Sequence, residues 1–123
     1  MQKSNLLMQW MTSSLLGLGL ATAFALPGLA TPARCVIKEA GRTTFNGACD
    51  FKQFGSNGSF TVTSLQSNWI AGRSVITVTI VSPGVAEVRG LTPEGINSRW
   101  GITERSNRDR ACWVGDDFEV CAY

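Results

Sequence analysis

The sequence predicts an all-β fold, a small antiparallel barrel or sandwich of about seven or eight strands. Apolar and polar residues alternate with a period of two along most segments after residue 30, and no segment there carries a helical apolar stripe. Turn signals rich in glycine, asparagine and proline recur at short intervals, as they do in sandwiches and barrels. Four cysteines follow residue 30, and an even number can cross-link a small exported domain.

Residues 1–30 are predicted to be a secretory signal peptide, and residues 31–123 a single β domain. Lys3 is the only charged residue before Arg34, and an apolar run lies between them. Small residues favour cleavage just before Thr31, and an earlier pair of alanines offers a second cleavage point. A transmembrane anchor is the alternative, because the run is long enough to span a bilayer. Cleavage would leave the protein in the periplasm or outside the cell.

The cysteine spacing predicts two hairpins that are each closed by a disulfide. The expected pairs are Cys35 with Cys49 and Cys112 with Cys121. Four cysteines allow three connectivities, and local geometry favours this one, since each pair folds symmetrically about a short loop, at 41–43 and at 115–118. Directly opposed residues of antiparallel strands have the Cα spacing that a disulfide needs. A tetrathiolate zinc site is the alternative, but its ligands are usually two to four residues apart.

The chain between the two disulfide pairs is predicted to consist of strands and turns. We expect strands at residues 51–54, 59–63, 68–71, 74–81, 85–89 and 96–103. Asn57 and Gly58 form a strong hairpin signal between the first two. The segment 74–81 alternates β-branched apolar residues with threonines, as a half-buried strand does. Gly90 is expected to end the strand before it, and residues 92–95 to form a turn.

Composition and charge exclude several classes of function. Hydrophobic residues make up 44% of the chain and the net charge is +2, which argues against intrinsic disorder and against a strongly electrostatic nucleic-acid binder. The absence of histidine removes Ser-His and Cys-His catalytic pairs and histidine-ligated metals. Asp116, Asp117 and Glu119 are candidates for acid–base chemistry or calcium binding, but carboxylates on a hairpin tip are usually solvated. We therefore expect no enzyme activity, no cofactor and no bound metal.

The segment between Gly95 and Gly101 is the best candidate for a binding site. The predicted partner-binding residues are Ser98, Arg99 and Trp100 at the centre, with Arg105 and Arg108 as the rim. Arginine beside tryptophan combines a planar cation with an aromatic face, and both are enriched at the energetic centres of protein interfaces. The alternative is that the tryptophans belong to the core and the arginines are solvated. The same cations also permit binding to an anionic glycan.

Three stretches of the chain carry a family resemblance. They are Cys35-x13-Cys49-Asp-Phe with Phe45-Asn46-Gly47 inside it, Ser98-Arg99-Trp100-Gly101, and the ending from Ala111-Cys112-Trp113-Val114-Gly115 to Phe118-Glu119-Val120-Cys121. These stretches resemble small exported proteins of alphaproteobacteria, some of which are similar to periplasmic inhibitors of peptidoglycan hydrolases, lysozyme among them. The c-type lysozyme inhibitors are small β-barrels that insert a loop hydroxyl and a nearby cation into the enzyme's cleft. Ser98-Arg99-Trp100 is loosely similar to that loop.

The resemblance implies a periplasmic inhibitor of a peptidoglycan hydrolase, either a c-type lysozyme-like muramidase or a lytic transglycosylase. A guanidinium placed between the two carboxyls of such an enzyme would pair with the ionised one. Envelope structural or adhesion modules and glycan-binding modules are the alternatives. No nucleic acid is expected as a partner, and contact with a membrane is expected only through the signal segment before cleavage.

Overall fold

The protein forms a closed β-barrel, seen in a computed structural model that describes residues 29–123. Its eight strands are β1 (Thr31–Glu39), β2 (Arg42–Phe54), β3 (Ser59–Ser64), β4 (Val75–Ser82), β5 (Val85–Leu91), β6 (Asn97–Arg105), β7 (Cys112–Val114) and β8 (Phe118–Ala122). Each strand pairs antiparallel with the next, and β1 pairs with β8 to close the barrel. The all-β prediction is confirmed, and of its two forms the chain adopts the barrel.

The signal-peptide prediction falls on residues that the structure does not describe, apart from Leu29 and Ala30, which are both exposed. Within residues 29–123, no helix has the length and apolar character needed to cross a membrane.

Both predicted disulfides are present, and they occupy different faces of the barrel wall. Cys112 lies directly opposite Cys121 in the β7–β8 ladder, as the hairpin symmetry predicted. The Cys35–Cys49 bridge lies inside the barrel, where both residues are fully buried in the core. Two intramolecular disulfides indicate an oxidising compartment outside the cytosol.

The first hairpin pairs its cysteines as predicted but in a different register. Cys35 faces Gly47 rather than Cys49, and the bridge crosses the ladder diagonally with 5.8 Å between the two Cα atoms. The chain turns at residues 40–41, where Ala40 has a φ of 52°, and not at 41–43. A β-bulge after Ile37 adds a further shift. A register that is symmetric between the two cysteines allows for neither the turn at 40–41 nor the β-bulge.

The barrel interior is filled by the inward-facing residues of the alternating strands. Fully buried aliphatic side chains come from five strands: Ile37, Val62, Ile76, Val78, Ala86, Val88 and Val120. These alternate along each strand with residues on the outer face, which is the period-two pattern of the sequence.

One end of the barrel, the plugged end, is covered by the connection at residues 65–74. Ile70 of this connection is fully buried and exchanges two backbone hydrogen bonds with Arg73. The strand predicted at 68–71 is therefore wrong, because these residues form only an isolated bridge over the barrel opening. Arg73 also pairs with Glu39 at 2.9 Å, which fastens the plug to the end of β1.

The opposite end, the open end, carries shorter connections at residues 55–58 and 83–84, together with residues 106–111. None of these connections contributes a buried apolar side chain comparable to Ile70. The inward-facing aromatic residues there border a hollow that opens to solvent. The barrel is therefore closed at one end only.

The expected end of β5 at Gly90 is also wrong, since the strand continues to Leu91 and Gly90 pairs with Ser98. Gly90 is buried, and a Cβ atom there would lie 2.9 Å from the indole Nε1 of Trp100. The glycine leaves room for the tryptophan ring rather than ending the strand.

Candidate functional site

The five predicted binding residues are spread along β6 and beyond it. Ser98, Arg99 and Trp100 lie near the plugged end of β6, whereas Arg105 is its last residue, at the open end. Arg108 lies in the connection that follows and is exposed. The expected centre thus lies in a strand, in agreement with the strand predicted at 96–103.

A β-bulge separates the side chains of Arg99 and Trp100. Arg89 pairs with Arg99 and Val88 pairs with Gly101, so Trp100 is the extra residue of the bulge. Such bulges re-aim side chains locally. The Trp100 indole turns inward and packs edge-on against Phe118, with ring centroids 5.4 Å apart. Trp100 therefore belongs to the packing of the barrel.

Trp100 is covered from the plugged end by a cation. The Arg73 guanidinium lies 4.4 Å from the centroid of the indole ring. A cation over the face of tryptophan is attracted by the negative face of the ring. Together with the Arg73–Glu39 ion pair, this contact ties Trp100 to the plug and leaves it half-buried.

Arg99 points to the outer face and is held by a carboxylate shared with a second arginine. Its Nε donates to Glu87 at 2.5 Å, and Arg89 donates to the other oxygen of Glu87 at 3.3 Å. Slightly more than half of the Arg99 side chain is exposed, against about a quarter of Glu87. The pKa of Glu87 lies below its ordinary value, chiefly because of the hydrogen bond from Arg99, with Arg89 adding to it and desolvation opposing both.

The neighbouring seam of the barrel is short and leaves one edge of β6 open. Only Glu104 and Arg105 of β6 pair with β7, so residues 97–103 have no strand beside them on that side. The space beyond this edge is a groove of about 780 Å³, which we call the β6-edge groove. It is lined by residues of both strands and of the next turn: Arg99, Ile102, Glu104, Arg105, Val114 and Asp116.

The β6-edge groove has an apolar centre with charges around it. Ile102 and Val114 are both more than 40% exposed, and both line the groove. Arg99 and Asp116 border them. An apolar centre with a charged rim is the common arrangement of a protein interface.

Arg105 stands where the groove meets the open end. Its guanidinium lies 5.3 Å from the Trp113 ring centroid, and its Nε donates to the carbonyl of Arg110 at 2.7 Å. Of the five predicted residues, the groove thus brings together Arg99 and Arg105, while Ser98, Trp100 and Arg108 do not line it.

The carboxylates considered for chemistry lie in the β7–β8 hairpin. Asp116 and Asp117 are exposed, and the Asp117 carbonyl accepts a hydrogen bond from the Ala40 N–H at 2.7 Å. Glu119 has a ligand atom within 4.8 Å of those of Cys112 and Cys121. Because these two sulfurs are bonded to each other, neither is the thiolate that binds a metal.

Sequence reasoning missed Ile102 and Val114, and it considered Asp116 only for acid–base chemistry or calcium binding and not as part of a binding surface. The exposed apolar pair has no local signal, since each residue alternates normally within its own strand. It becomes visible only when Glu104 is placed opposite Val114, which depends on the register of the β6–β7 pair.

No protein-family model, curated protein or solved structure gives a significant match to this chain.

Proposed function

We propose that this protein is an exported, periplasmic inhibitor that binds a peptidoglycan hydrolase through the β6-edge groove. The observation that carries the proposal is the open edge of β6 with Arg99 beside it. The choice of target is supported by the resemblance of the cysteine frame to small exported proteins, some of which are similar to periplasmic inhibitors, and by the loose similarity of Ser98-Arg99-Trp100 to the inhibitor loop.

An unpaired strand edge can accept an extended segment of a partner. Its free N–H and C=O groups supply main-chain hydrogen bonds, and alternate side chains supply specificity. In the β6-edge groove, Ile102 and Val114 provide apolar area that a partner can cover. The barrel wall behind them is held by two disulfides, so little ordering of the inhibitor opposes binding.

Arg99 supplies the inhibitory group. The cleft of a muramidase-type enzyme carries two carboxyls, one protonated and one ionised. The guanidinium of Arg99 pairs with the ionised carboxyl and stabilises its charge. The paired carboxylate is then blocked from acting on substrate, and the nearby positive charge lowers the pKa of the acid, which disfavours the protonated form that the reaction needs.

Arg99 is free to make this exchange at small cost. Its partner Glu87 keeps the hydrogen bond from Arg89 when Arg99 moves away. An exposed ion pair is worth only about 0–1 kcal/mol, so a desolvated carboxylate in an enzyme cleft competes well for the guanidinium.

A turbidity assay with peptidoglycan tests this function, using a c-type lysozyme and a lytic transglycosylase as targets. Arg99→Ala should weaken inhibition about thirtyfold or more, since a central contact is worth about 2 kcal/mol. Arg99→Lys should recover part of the loss, because a planar fork is replaced by a point charge. Arg89→Ala is the matched control, since it removes the other cation on Glu87 but does not line the groove.

Two results would contradict the proposal. Inhibition by a folded Arg99→Ala variant equal to that of the wild type would remove Arg99 from the site. A wild-type protein that inhibits neither enzyme would remove the inhibitor function, and retention on purified peptidoglycan would then favour a glycan-binding module.

A further inference from the structure

The open end of the barrel holds an apolar cup that the groove does not use. Its volume is about 280 Å³, close to the lower limit of about 300–1,000 Å³ for small-molecule pockets. The apolar lining comes from inward-facing residues of five strands: Phe51, Phe60, Ile80, Trp113 and Ala122. The mouth of a β-barrel is a common place for such a site.

The cup is built on a rigid wall. The rings of Phe51 and Phe60 pack with centroids 4.7 Å apart, and Phe60 and Trp113 are each less than 6% exposed. The Cys112–Cys121 disulfide fixes the β7–β8 ladder next to Trp113. The lining is therefore held in place without a ligand, and binding need not order it.

A cation stands at the rim of the cup. Thr103 is buried and faces inward, so Arg105, two residues later on β6, faces the same interior at the mouth. The guanidinium rests on the Trp113 ring and uses its Nε on the Arg110 carbonyl. Among the residues that the structure describes, the ion pairs involve Arg73, Arg89 and Arg99, and none includes Arg105.

The plugged end shows what the open end lacks. There, Ile70 fills the opening with an apolar side chain, and the inward-facing Glu39 is the carboxylate that pairs with Arg73. The cup at the open end also has an apolar lining and a cation, but among the described residues no apolar side chain fills it as Ile70 does and no carboxylate pairs with Arg105. A ligand that matches the cup therefore needs an apolar body and an anionic group.

We propose that the cup binds a free medium-chain aliphatic carboxylate, with its chain against Phe51, Phe60 and Trp113 and its carboxylate on the terminal nitrogens of Arg105. The carboxylate forms a forked, charge-assisted pair with the guanidinium. Gln53 also lines the cup and offers a further amide donor. The site is separate from the proposed hydrolase interface except for the position of Arg105 at their border.

Isothermal titration of the purified protein with decanoate tests the proposal. We expect one saturable site, with affinity rising about tenfold for each two carbons from hexanoate to decanoate, because each buried methylene contributes about 0.8 kcal/mol. Decanol should bind about tenfold or more weakly than decanoate, since it lacks the charge-assisted pair. The absence of saturable decanoate binding would overturn the proposal.

Variants separate the cation at the rim from a general effect of charge. Arg105→Gln should reduce decanoate binding to the level of decanol, while Lys52→Gln, an exposed cation beside Gln53, should leave the preference unchanged. Equal decanoate binding by folded Arg105→Gln would contradict the assignment. If circular dichroism shows that Arg105→Gln does not fold, Arg105→Lys takes its place and should keep a weakened preference for decanoate, and loss of the preference there would count against the proposal.

Vesicles distinguish a free carboxylate from a membrane acyl chain. The protein should not float with phosphatidylglycerol vesicles, because the acyl chains of an intact phospholipid are esterified and carry no free carboxylate for Arg105. Flotation that decanoate abolishes would assign the cup to membrane lipids and overturn the proposed ligand.

Discussion

Two seams of the barrel differ in how their strands are joined. At the β1–β2 seam, nine residue pairs link Thr31–Glu39 to the partner strand, and the buried Cys35–Cys49 bridge crosses it from inside. At the β6–β7 seam, two residue pairs link the strands, and the wall beyond them is sealed by the contact of Trp100 with Phe118. Side-chain packing there replaces the hydrogen-bonded ladder.

This difference explains why Trp100, a predicted contact residue, packs against the core, whereas its neighbour Arg99 does not. Where the ladder stops, the barrel needs a large aromatic pair to exclude water, and Trp100 is one half of that pair. The same interruption leaves the outer edge of β6 without a neighbour, beside Arg99 and Ile102. The short β6–β7 seam thus requires aromatic packing inside the barrel and leaves a binding surface on the outside.

The largest expected effect comes from breaking the aromatic seal. Phe118→Ala should lower the free energy of unfolding by about 3–5 kcal/mol, because a buried phenylalanine leaves a cavity that a barrel wall closes poorly. Phe118 is only 8% exposed, whereas Phe54 at the end of β2 is 40% exposed, so Phe54→Ala is the control and should cost far less. Urea denaturation measures both, and equal losses would show that the seam has no special dependence on Phe118.

Removing the internal bridge tests the strong seam. Replacing both Cys35 and Cys49 by alanine should lower the free energy of unfolding by about 3 kcal/mol. The bridge joins residues 14 apart in the sequence, and without it the unfolded chain gains conformational entropy. Both residues are fully buried, so lost packing adds to this figure. The matched pair is Cys112→Ala with Cys121→Ala, whose shorter loop predicts a smaller loss. A larger loss from the second pair, measured by thermal melting, would show that the bridge inside the barrel is not the more stabilising of the two.

A smaller effect is expected from overfilling the β6–β7 seam. A Cβ atom on Gly115 would overlap the Phe118 ring, so Gly115→Ala must displace that ring, which packs against Trp100. We expect a loss of about 1–3 kcal/mol in the free energy of unfolding, as for other overpacked sites. Asp116→Ala, at the next and exposed position, should be nearly neutral. A neutral Gly115→Ala would mean that the seal tolerates displacement of Phe118.

The smallest effect concerns the electrostatics of the outer face. The folded pKa of Glu87 is lowered, so its contribution to stability is present above the unfolded pKa of about 4.3 and is lost as the pH falls through the folded value. Arg99→Ala should raise the pKa of Glu87 toward its ordinary value, with Arg89 holding part of the shift. Carboxyl chemical shifts followed by NMR across acid pH measure this change. A pKa unaffected by the substitution would mean that Arg99 does not hold Glu87 in solution.

Local features of the fold were predictable from the sequence, and the closure of the barrel was not. The eight-residue gap between Cys112 and Cys121 leaves little choice of register, and the predicted pairing is confirmed. The longer gap before Cys49 admits a bulge and a turn at Ala40, a residue that rarely adopts positive φ. The β1–β8 pairing joins residues from the two ends of the domain, and no local pattern specifies it.

The candidate site was predictable in its residues but not in their directions. The pattern identified Arg99 and Trp100 as neighbours, and alternation places them on opposite faces, as observed, but it does not say which of the two faces outward. The bulge at Trp100, the missing strand beside Ile102 and the shared carboxylate of Glu87 all depend on pairing between β5, β6 and β7. Such tertiary facts decide which side chains a partner can reach.

Amide chemical-shift mapping tests most directly whether the open edge of β6 is the binding surface. Isotope-labelled protein would be titrated with unlabelled c-type lysozyme. We expect the largest amide chemical-shift changes on residues 99–105 of β6 and on residues 114–116, and none in the β1–β2 ladder. Changes centred on the β1–β2 ladder or on the plug at 65–74, or no changes at a saturating concentration of lysozyme, would contradict this expectation.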